Sequence, residues 1–353
     1  MKKEIIHYKN PFANMIIAPK DIDEILTPAI KKASRVSIKI TKMTLNDIRR
    51  LNARKIEILG NYVIERLNKI CYTTPFILDL HPFYRELAMV LIDIDRFKIS
   101  LARIKRSVEI IGKIKREHLR RLRYASTRNE IVNIRRAFLG RLASVLEEVE
   151  DNLRELRRAQ LQLKRLPDIN PEIDTIVIAG PPNVGKSSFV KCVSTAKPEV
   201  REYPFTTKSL ILGHIILDNE IYIQVIDTPG LLDRPLSRRN KIELQAILAL
   251  KYLARVIIFL LDPSETCGYP LNEQINVYRD VKIHFKEIPI IPVLNKIDIT
   301  TENKINKAIE ELGEKALKIS VLKKINIVDV LTKAFSYLSI PSYYIEKYLS
   351  GFN

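Results

Sequence analysis

The sequence predicts a mostly parallel six-stranded α/β sheet with helices on both faces, preceded by an all-α helical bundle. Three observations predict it. Residues 83–166 contain no proline and only Gly112 and Gly140, and their apolar residues recur every three or four positions. Beyond residue 170, short apolar runs alternate with helical stretches. Between the first run and the first of those helices lies Gly180-Pro-Pro-Asn-Val-Gly185-Lys186-Ser187, which fits the phosphate-cradling pattern GxxxxGKS. The expected organisation is a basic helical bundle over 1–170, an α/β domain over 171–340 and a tail over 341–353.

In chain order, Ile56, Leu59, Val63, Leu67 and Ile70 mark an early helix. Leu101, Ile104, Val108 and Ile111 mark another, and Leu142, Leu146, Val149, Leu153, Leu156 and Leu163 a third stretch. The heptad runs are short and flanking Ile and Ala broaden the apolar face, which favours a shared bundle core over an extended coiled coil. Pro167-Asp-Ile-Asn-Pro171 reads as the joint to the α/β domain. There, Thr175–Ala179 is a strand, 189–196 a helix, 209–217 and 221–227 two strands forming an antiparallel edge, and 240–252 a helix. A central strand at 255–261, a helix at 271–284, a strand ending at Leu294, a helix, a short strand to Ser320 and a closing helix near 326–338 follow. In the tail, Tyr343, Tyr344 and Tyr348 are expected to pack on the domain surface.

Such a sheet binds its ligand at the carboxyl ends of its strands. Backbone N–H groups of Gly180, Asn183, Val184, Gly185, Lys186, Ser187 and Ser188 would converge on phosphate at a helix N-terminus. Lys186 would reach the β- and γ-phosphates and the Ser187 hydroxyl would bind Mg²⁺. Asp227, at a strand end in Asp227-Thr-Pro-Gly230, would hold Mg²⁺ through water, and the Gly230 N–H would approach the γ-phosphate. Asn295-Lys296-Ile297-Asp298 follows another strand. A carboxylate only accepts hydrogen bonds, so Asp298 suits the two parallel donors of guanine and rejects adenine. Alone, DTPG could be an ordinary turn and NKxD an exposed loop; three motifs in this order make a P-loop GTPase domain. Between them, Tyr203-Pro-Phe-Thr206-Thr207-Lys208 offers a threonine for Mg²⁺ while γ-phosphate is present. Thr206 is preferred to Thr207, and Lys186, Thr206 and Gly230 are the expected catalytic groups. Ser320 could offer a backbone N–H to guanine O6.

The chain resembles the translation-factor-related GTPases, and within them the nucleolar GTP-binding (Nog) family, relatives of the Obg proteins. The resemblance rests also on Arg136-Ala-Phe-Leu-Gly-Arg141, Arg165-Leu-Pro-Asp-Ile-Asn-Pro171, Tyr203-Pro-Phe-Thr-Thr-Lys-Ser209, Arg239-Asn-Lys-Ile-Glu-Leu-Gln-Ala246 and Asp262-Pro-Ser-Glu-Thr-Cys-Gly268. It implies a part in assembly of the large ribosomal subunit, and, since the chain stops at Asn353, a short archaeal-type member. Leu231 stands where many GTPases place a water-orienting glutamine, which implies slow intrinsic hydrolysis. Asn183 resembles an asparagine that binds K⁺ in related GTPases; shaping the loop is the other reading. The alternatives to a ribosomal switch are a GTPase acting on another RNA or protein partner, and a GTP-binding scaffold with negligible turnover.

The net charge of +18 is unevenly spread. Residues 1–170 hold 36 Lys and Arg against 20 Asp and Glu, and the remainder 23 against 21. Such asymmetry gives the bundle an anionic partner. Arg106, Lys113, Arg116, Arg120 and Arg123 form one helical stripe, and Arg121, Arg128, Arg135, Arg136 and Arg141 extend it. Only Glu109, Glu117 and Glu130 interrupt the run, so phosphate-backbone binding is expected, with ribosomal RNA and large-subunit precursors as partners and no DNA. A solvated helix face is the commoner fate of such charges. Cys71, Cys192 and Cys267 have no metal-ligand spacing, and no apolar run is long enough for a membrane span. The expectation is a soluble cytoplasmic protein.

Overall fold

The computed structural model describes residues 8–37, 43–203, 209–217, 222–228, 230, 232–236 and 239–350. The chain divides into two compact units, Pro11–Phe76 with Leu91–Lys164, and Met1–Asn10 with Ile77–Val90 and Arg165–Asn353. The sequence alone suggested a single cut at residue 170. By contacts the units interleave instead: Asn10 and Tyr84 hydrogen-bond with Leu166, Pro167, Asp168 and Ile169.

The first helices are α1 (Asp23–Ser34), α2 (Leu45–Tyr72) and α3 (Pro82–Leu91), followed by α4 (Ile94–Tyr124), α5 (Arg128–Glu148) and α6 (Glu150–Leu163). All but α3 form the helical unit, with α2 and α4 at its centre. Helix starts follow capping chemistry. Thr44 and Asp47 make a reciprocal capping box for α2, Asp93 accepts from two backbone N–H groups of α4, and Thr127 accepts from Glu130 N–H in α5. Each such cap stabilises its helix by about 1 kcal/mol. The long apolar phase from Leu142 to Leu163 is broken at Val149, whose φ of −108° and ψ of 4° separate α5 from α6. Ile56, Leu59, Val63, Leu67 and Ile70 are buried as their spacing requires. Gln160, also in phase, is fully buried and satisfied: its Oε1 accepts from Ala18 N–H at 2.7 Å, and its Nε2 donates to Ile16 O and Thr74 Oγ1.

The second unit is built on β1 (Thr175–Ala179), α7 (Lys186–Val193), β2 (Glu199–Arg201), β3 (Leu210–Ile216) and β4 (Tyr222–Asp227). It continues with α8 (Lys241–Leu248), β5 (Ala254–Leu261), α9 (Leu271–His284), β6 (Ile290–Leu294) and α10 (Glu302–Leu312). β7 (Leu317–Lys318), α11 (Ile327–Phe335) and α12 (Ser342–Leu349) close it. The strand order is β2-β3-β4-β1-β5-β6-β7. β4, β1, β5, β6 and β7 run parallel, while β2 and β3 make the antiparallel edge. The sheet therefore has seven strands among the described residues, not six. The extra strand, Glu199-Val-Arg201, is a three-residue charged edge with no apolar alternation to reveal it.

Every residue of β1 is buried, and β5 is buried from Val256 to Leu261. This marks both as central strands covered on two faces. Two of the three tail tyrosines pack as expected: Tyr344 and Tyr348 lie against the core, and the Tyr348 hydroxyl donates to Val193 O at 2.5 Å, whereas Tyr343, also expected to pack, is exposed.

Candidate active site

The carboxyl ends of β1, β4 and β6 carry the three motifs to one rim of the sheet. β1 runs into Gly180, whose φ of +134° and contact with β5 leave no room for a side chain: a Cβ would lie 2.3 Å from Leu260 O. The loop closes on Gly185, with φ of +103°, where a Cβ would lie 2.4 Å from Asn295 Nδ2. That second approach joins the phosphate loop to the NKID segment. Asn295 Nδ2 donates to Val184 O at 2.8 Å, its Oδ1 accepts from Val321 N–H at 3.1 Å, and its own N–H donates to Leu261 O at 2.8 Å. Asn295 is a buried brace between three loops.

Lys186 begins α7 and is buried, with its Nζ donating to Gly180 O at 2.9 Å and Pro181 O at 2.7 Å. The loop's own carbonyls thus hold the ammonium at its mouth. Ser187 Oγ donates to Asp227 Oδ2 at 2.5 Å, bringing together the two oxygens expected to share a metal. Asp227 is fully buried at the end of β4. A cavity of about 360 Å³ is lined by Asn183, Gly185, Lys186, Ser187, Ser188 and Gly230, among others. Asn183 is exposed at the loop's crown, in the left-handed region at φ +60°, and its Nδ2 lies 3.5 Å from Cys267 O.

Asp298 lies half-buried in the 3-10 turn Ile297–Ile299. Among the described residues its carboxylate accepts no hydrogen bond, so both oxygens are available to a ligand. Lys296, also left-handed at φ +63°, donates from Nζ to Asp262 Oδ2 at 2.7 Å and to Thr266 Oγ1 at 3.0 Å. Ser320 differs from expectation. Its N–H donates to Ile325 O at 3.2 Å in a tight turn, and its Oγ accepts from Lys323 N–H, so that amide is not turned to the rim. Thr206, Thr207 and Leu231 lie outside the described residues. Tyr203, just before the threonines, is buried, and its hydroxyl donates to Ala246 O at 2.6 Å.

Two groups went unassigned by sequence reasoning. Asp262, fully buried after β5, accepts from the N–H groups of Ser264 and Cys267 and from the hydroxyls of Ser264 and Thr266. Burial would raise its pKa, but the Lys296 ammonium and the Ser264 hydroxyl outweigh it, and the carboxyl lies below its ordinary value. Asp-Pro followed by Ser and Thr is a turn signature that could have revealed this. Arg239 is the other. It is almost fully buried and donates to Gly230 O at 2.6 Å and to Asp233 at 2.9 Å, with Glu243 at 3.8 Å. Burial and neighbouring Arg234 lower its pKa, and Asp233 and Glu243 oppose the shift. Cys267 is buried with its N–H on Asp262, and all three cysteines are free thiols.

In comparisons with known families, residues 12–170 match the NOG1 N-terminal helical domain and residues 241–298 match nucleolar GTP-binding protein 1. An uncharacterised protein of Methanocaldococcus jannaschii is 40% identical over 301 residues, 84% of this chain and 83% of that protein. The chain belongs to the nucleolar GTP-binding (Nog) family. Its second unit is a P-loop GTPase domain, and its helical unit falls within the family's N-terminal domain. Nucleolar GTP-binding protein 1 of Drosophila melanogaster is 36% identical over 330 residues, 91% of this chain but 50% of that protein. The chain thus spans about half the length of that Nog relative. A putative nucleolar GTP-binding protein 1 of Plasmodium falciparum has a crystal structure 36% identical to this chain, covering 49% of it and 89% of that chain, with a TM-score of 0.41.

Proposed function

We propose that the chain binds and hydrolyses GTP and acts as a nucleotide-dependent switch in assembly of the large ribosomal subunit, with the basic helical unit as its RNA-binding module. The observation that carries the reading is the shared rim: the phosphate loop, Asp227 and Asp298 stand at the ends of β1, β4 and β6, and Asn295 braces the first to the last. Asp298 would accept from guanine N1–H and N2–H₂. Lys186 would move its donors from the loop carbonyls to the β- and γ-phosphates, and Gly230 would present its N–H to the γ-phosphate. Ser187 Oγ and Asp227 Oδ2 are hard oxygen donors of the kind Mg²⁺ takes beside substrate phosphates, so the pair fits the ion. Bound there, Mg²⁺ would neutralise charge on the transferring group. Thr206 would join these ligands. Asn183 would hold K⁺ beside the phosphates, and faster turnover in KCl than in NaCl is the expected sign.

The ribosomal role is supported by the names of the relatives and by the charge of the helical unit. Arg106, Lys113, Arg116, Arg120 and Arg123 are all exposed, and among the described residues none forms an ion pair. No described helix is long and apolar enough to cross a membrane, and the reading places the protein in the cytoplasm. Sedimentation with large-subunit particles, with GTP, GDP or a non-hydrolysable analogue, tests the switch. Co-sedimentation that ignores the nucleotide would overturn it, and absence of single-turnover hydrolysis would leave a scaffold instead.

A further inference from the structure

We infer that Tyr124, at the end of α4, is a stacking platform for an unpaired RNA base, so that the basic face takes RNA with a single-stranded element rather than a plain duplex. The inference rests on the RNA-binding role proposed above for the helical unit. Tyr124 is the last residue of α4 and 79% exposed, the most exposed aromatic side chain of the helical unit. Its neighbourhood is what separates it from a stray surface tyrosine. At 100° per residue, Arg106, Lys113, Arg120 and Tyr124 fall within a sector of about 40°. At 1.5 Å per residue this makes a straight track of about 27 Å. Arg121 and Arg123 flank the ring on the same turn, and exposed Arg128 follows it at the start of α5.

Between Arg103 and Arg141 the acidic residues are Glu109, Glu117 and Glu130, and on the packed helix α2 Asp47 is engaged in the capping box with Thr44. Glu117 is engaged with Arg141 at 3.4 Å, and Glu130 accepts from Ser126 N–H at 2.7 Å; exposed Glu109 lies about four helical turns from the ring. The negative end of α4, which would repel phosphate, carries a positive charge: Arg49 donates twice to Ala125 O, at 3.0 and 2.7 Å. Among the described residues no lysine or arginine lies over the Tyr124 ring, and its exposure leaves room for a base to stack. A tyrosine this exposed contributes little to the fold. A bare ring ending a track of cationic side chains suits a strand whose phosphates follow the track while one base leaves the stack.

The test is fluorescence-anisotropy binding of the full chain to three probes: a perfect RNA duplex, the same duplex with a single-stranded overhang, and the overhang sequence alone. Wild type should prefer the probes with unpaired bases. Tyr124→Ala should lose roughly 5- to 150-fold on those probes and leave duplex binding unchanged. Its salt slope should match wild type, because no phosphate contact is removed. Tyr124→Phe should bind as wild type, since the ring remains. Arg120→Ala should instead weaken every probe and reduce the slope by about 0.7 on single strands. Equal affinity of Tyr124→Ala and wild type for the overhang probe would overturn the platform while leaving RNA binding intact. Failure of wild type to bind any probe would overturn the RNA-binding role itself.

Discussion

Replacing Asn295 with alanine should cost stability before it costs recognition. The side chain is buried, and two hydrogen bonds pass through it, one to Val184 O at 2.8 Å and one from Val321 N–H at 3.1 Å. Neither partner can turn to solvent, since Val184 and Val321 are themselves buried. Leaving a buried donor or acceptor unpaired costs about 1–3 kcal/mol each, so partial relaxation of the loops leaves a loss of about 3 kcal/mol. For a unit of this size each kcal/mol lowers Tm by about 2–4 °C, giving a drop of about 6–12 °C. Thermal unfolding followed by circular dichroism without nucleotide reads this directly. Nucleotide affinity should also fall, because the phosphate loop loses its tie to the base-reading segment. A variant melting within 2 °C of wild type would refute the brace and return Asn295 to the role of a simple ligand contact.

Asp298→Asn should leave Tm nearly unchanged, since among the described residues nothing bonds to the carboxylate, yet move preference from guanosine to xanthosine nucleotides in a calorimetric titration. Retention of full guanine preference would contradict the base assignment. Gly185→Ala forces a φ of +103° on an L-residue and drives a methyl to 2.4 Å from Asn295 Nδ2; at about 1–3 kcal/mol of strain, nucleotide affinity should drop at least tenfold and Tm should fall. Asp262 has a folded pKa below its ordinary value of 3.8. The stability it adds is complete above pH 3.8 and fades as the pH falls through the lower folded value. Asp262→Asn should therefore destabilise most at neutral pH, and its stability should converge on that of wild type in strong acid. A constant difference across pH would show that the carboxylate's charge is not what matters.

The nucleotide motifs were legible because each is a short, contiguous string whose chemistry is fixed by residue type. The helical unit was legible in outline and shifted in detail. Apolar spacing picked Leu101, Ile104, Val108 and Ile111 as the core face of α4, but Leu101 and Val108 are only half-buried. The face that packs runs through Phe97, Ser100, Ile104, Ser107, Ile111, Ile114, His118 and Leu122. Two serines lie on it: they are small enough for close helix packing, and Ser107 satisfies its hydroxyl on Ile104 O at 2.7 Å. A count of apolar residues passes over them. β2 was missed because an edge strand of three residues makes no pattern. The interleaved units were hidden for another reason. The Tyr84 hydroxyl donates to Pro167 O and Ile169 O and accepts from Ile169 N–H, joining α3 to the joint across more than eighty residues. No local signal announces such a contact.

The rim itself divides into two kinds of construction. Its base-reading side is tied by Asn295, by Lys296 on Asp262, and by the shell of N–H and hydroxyl donors that fills Asp262's lone pairs. Asn295 and Asp262 are buried, so losing these bonds would leave orphaned polar groups. Among the described residues, the segment after Asp227 is tied by Arg239 on Gly230 O and Asp233, and by Asp280 accepting from Leu236 N–H. Arg239 is itself almost fully buried, so it could give up these partners only if others replaced them. A γ-phosphate drawing Gly230 toward itself would compete with Arg239 for the position of that backbone. On the proposed reading, the response to the terminal phosphate would be coupled to the partners of Arg239.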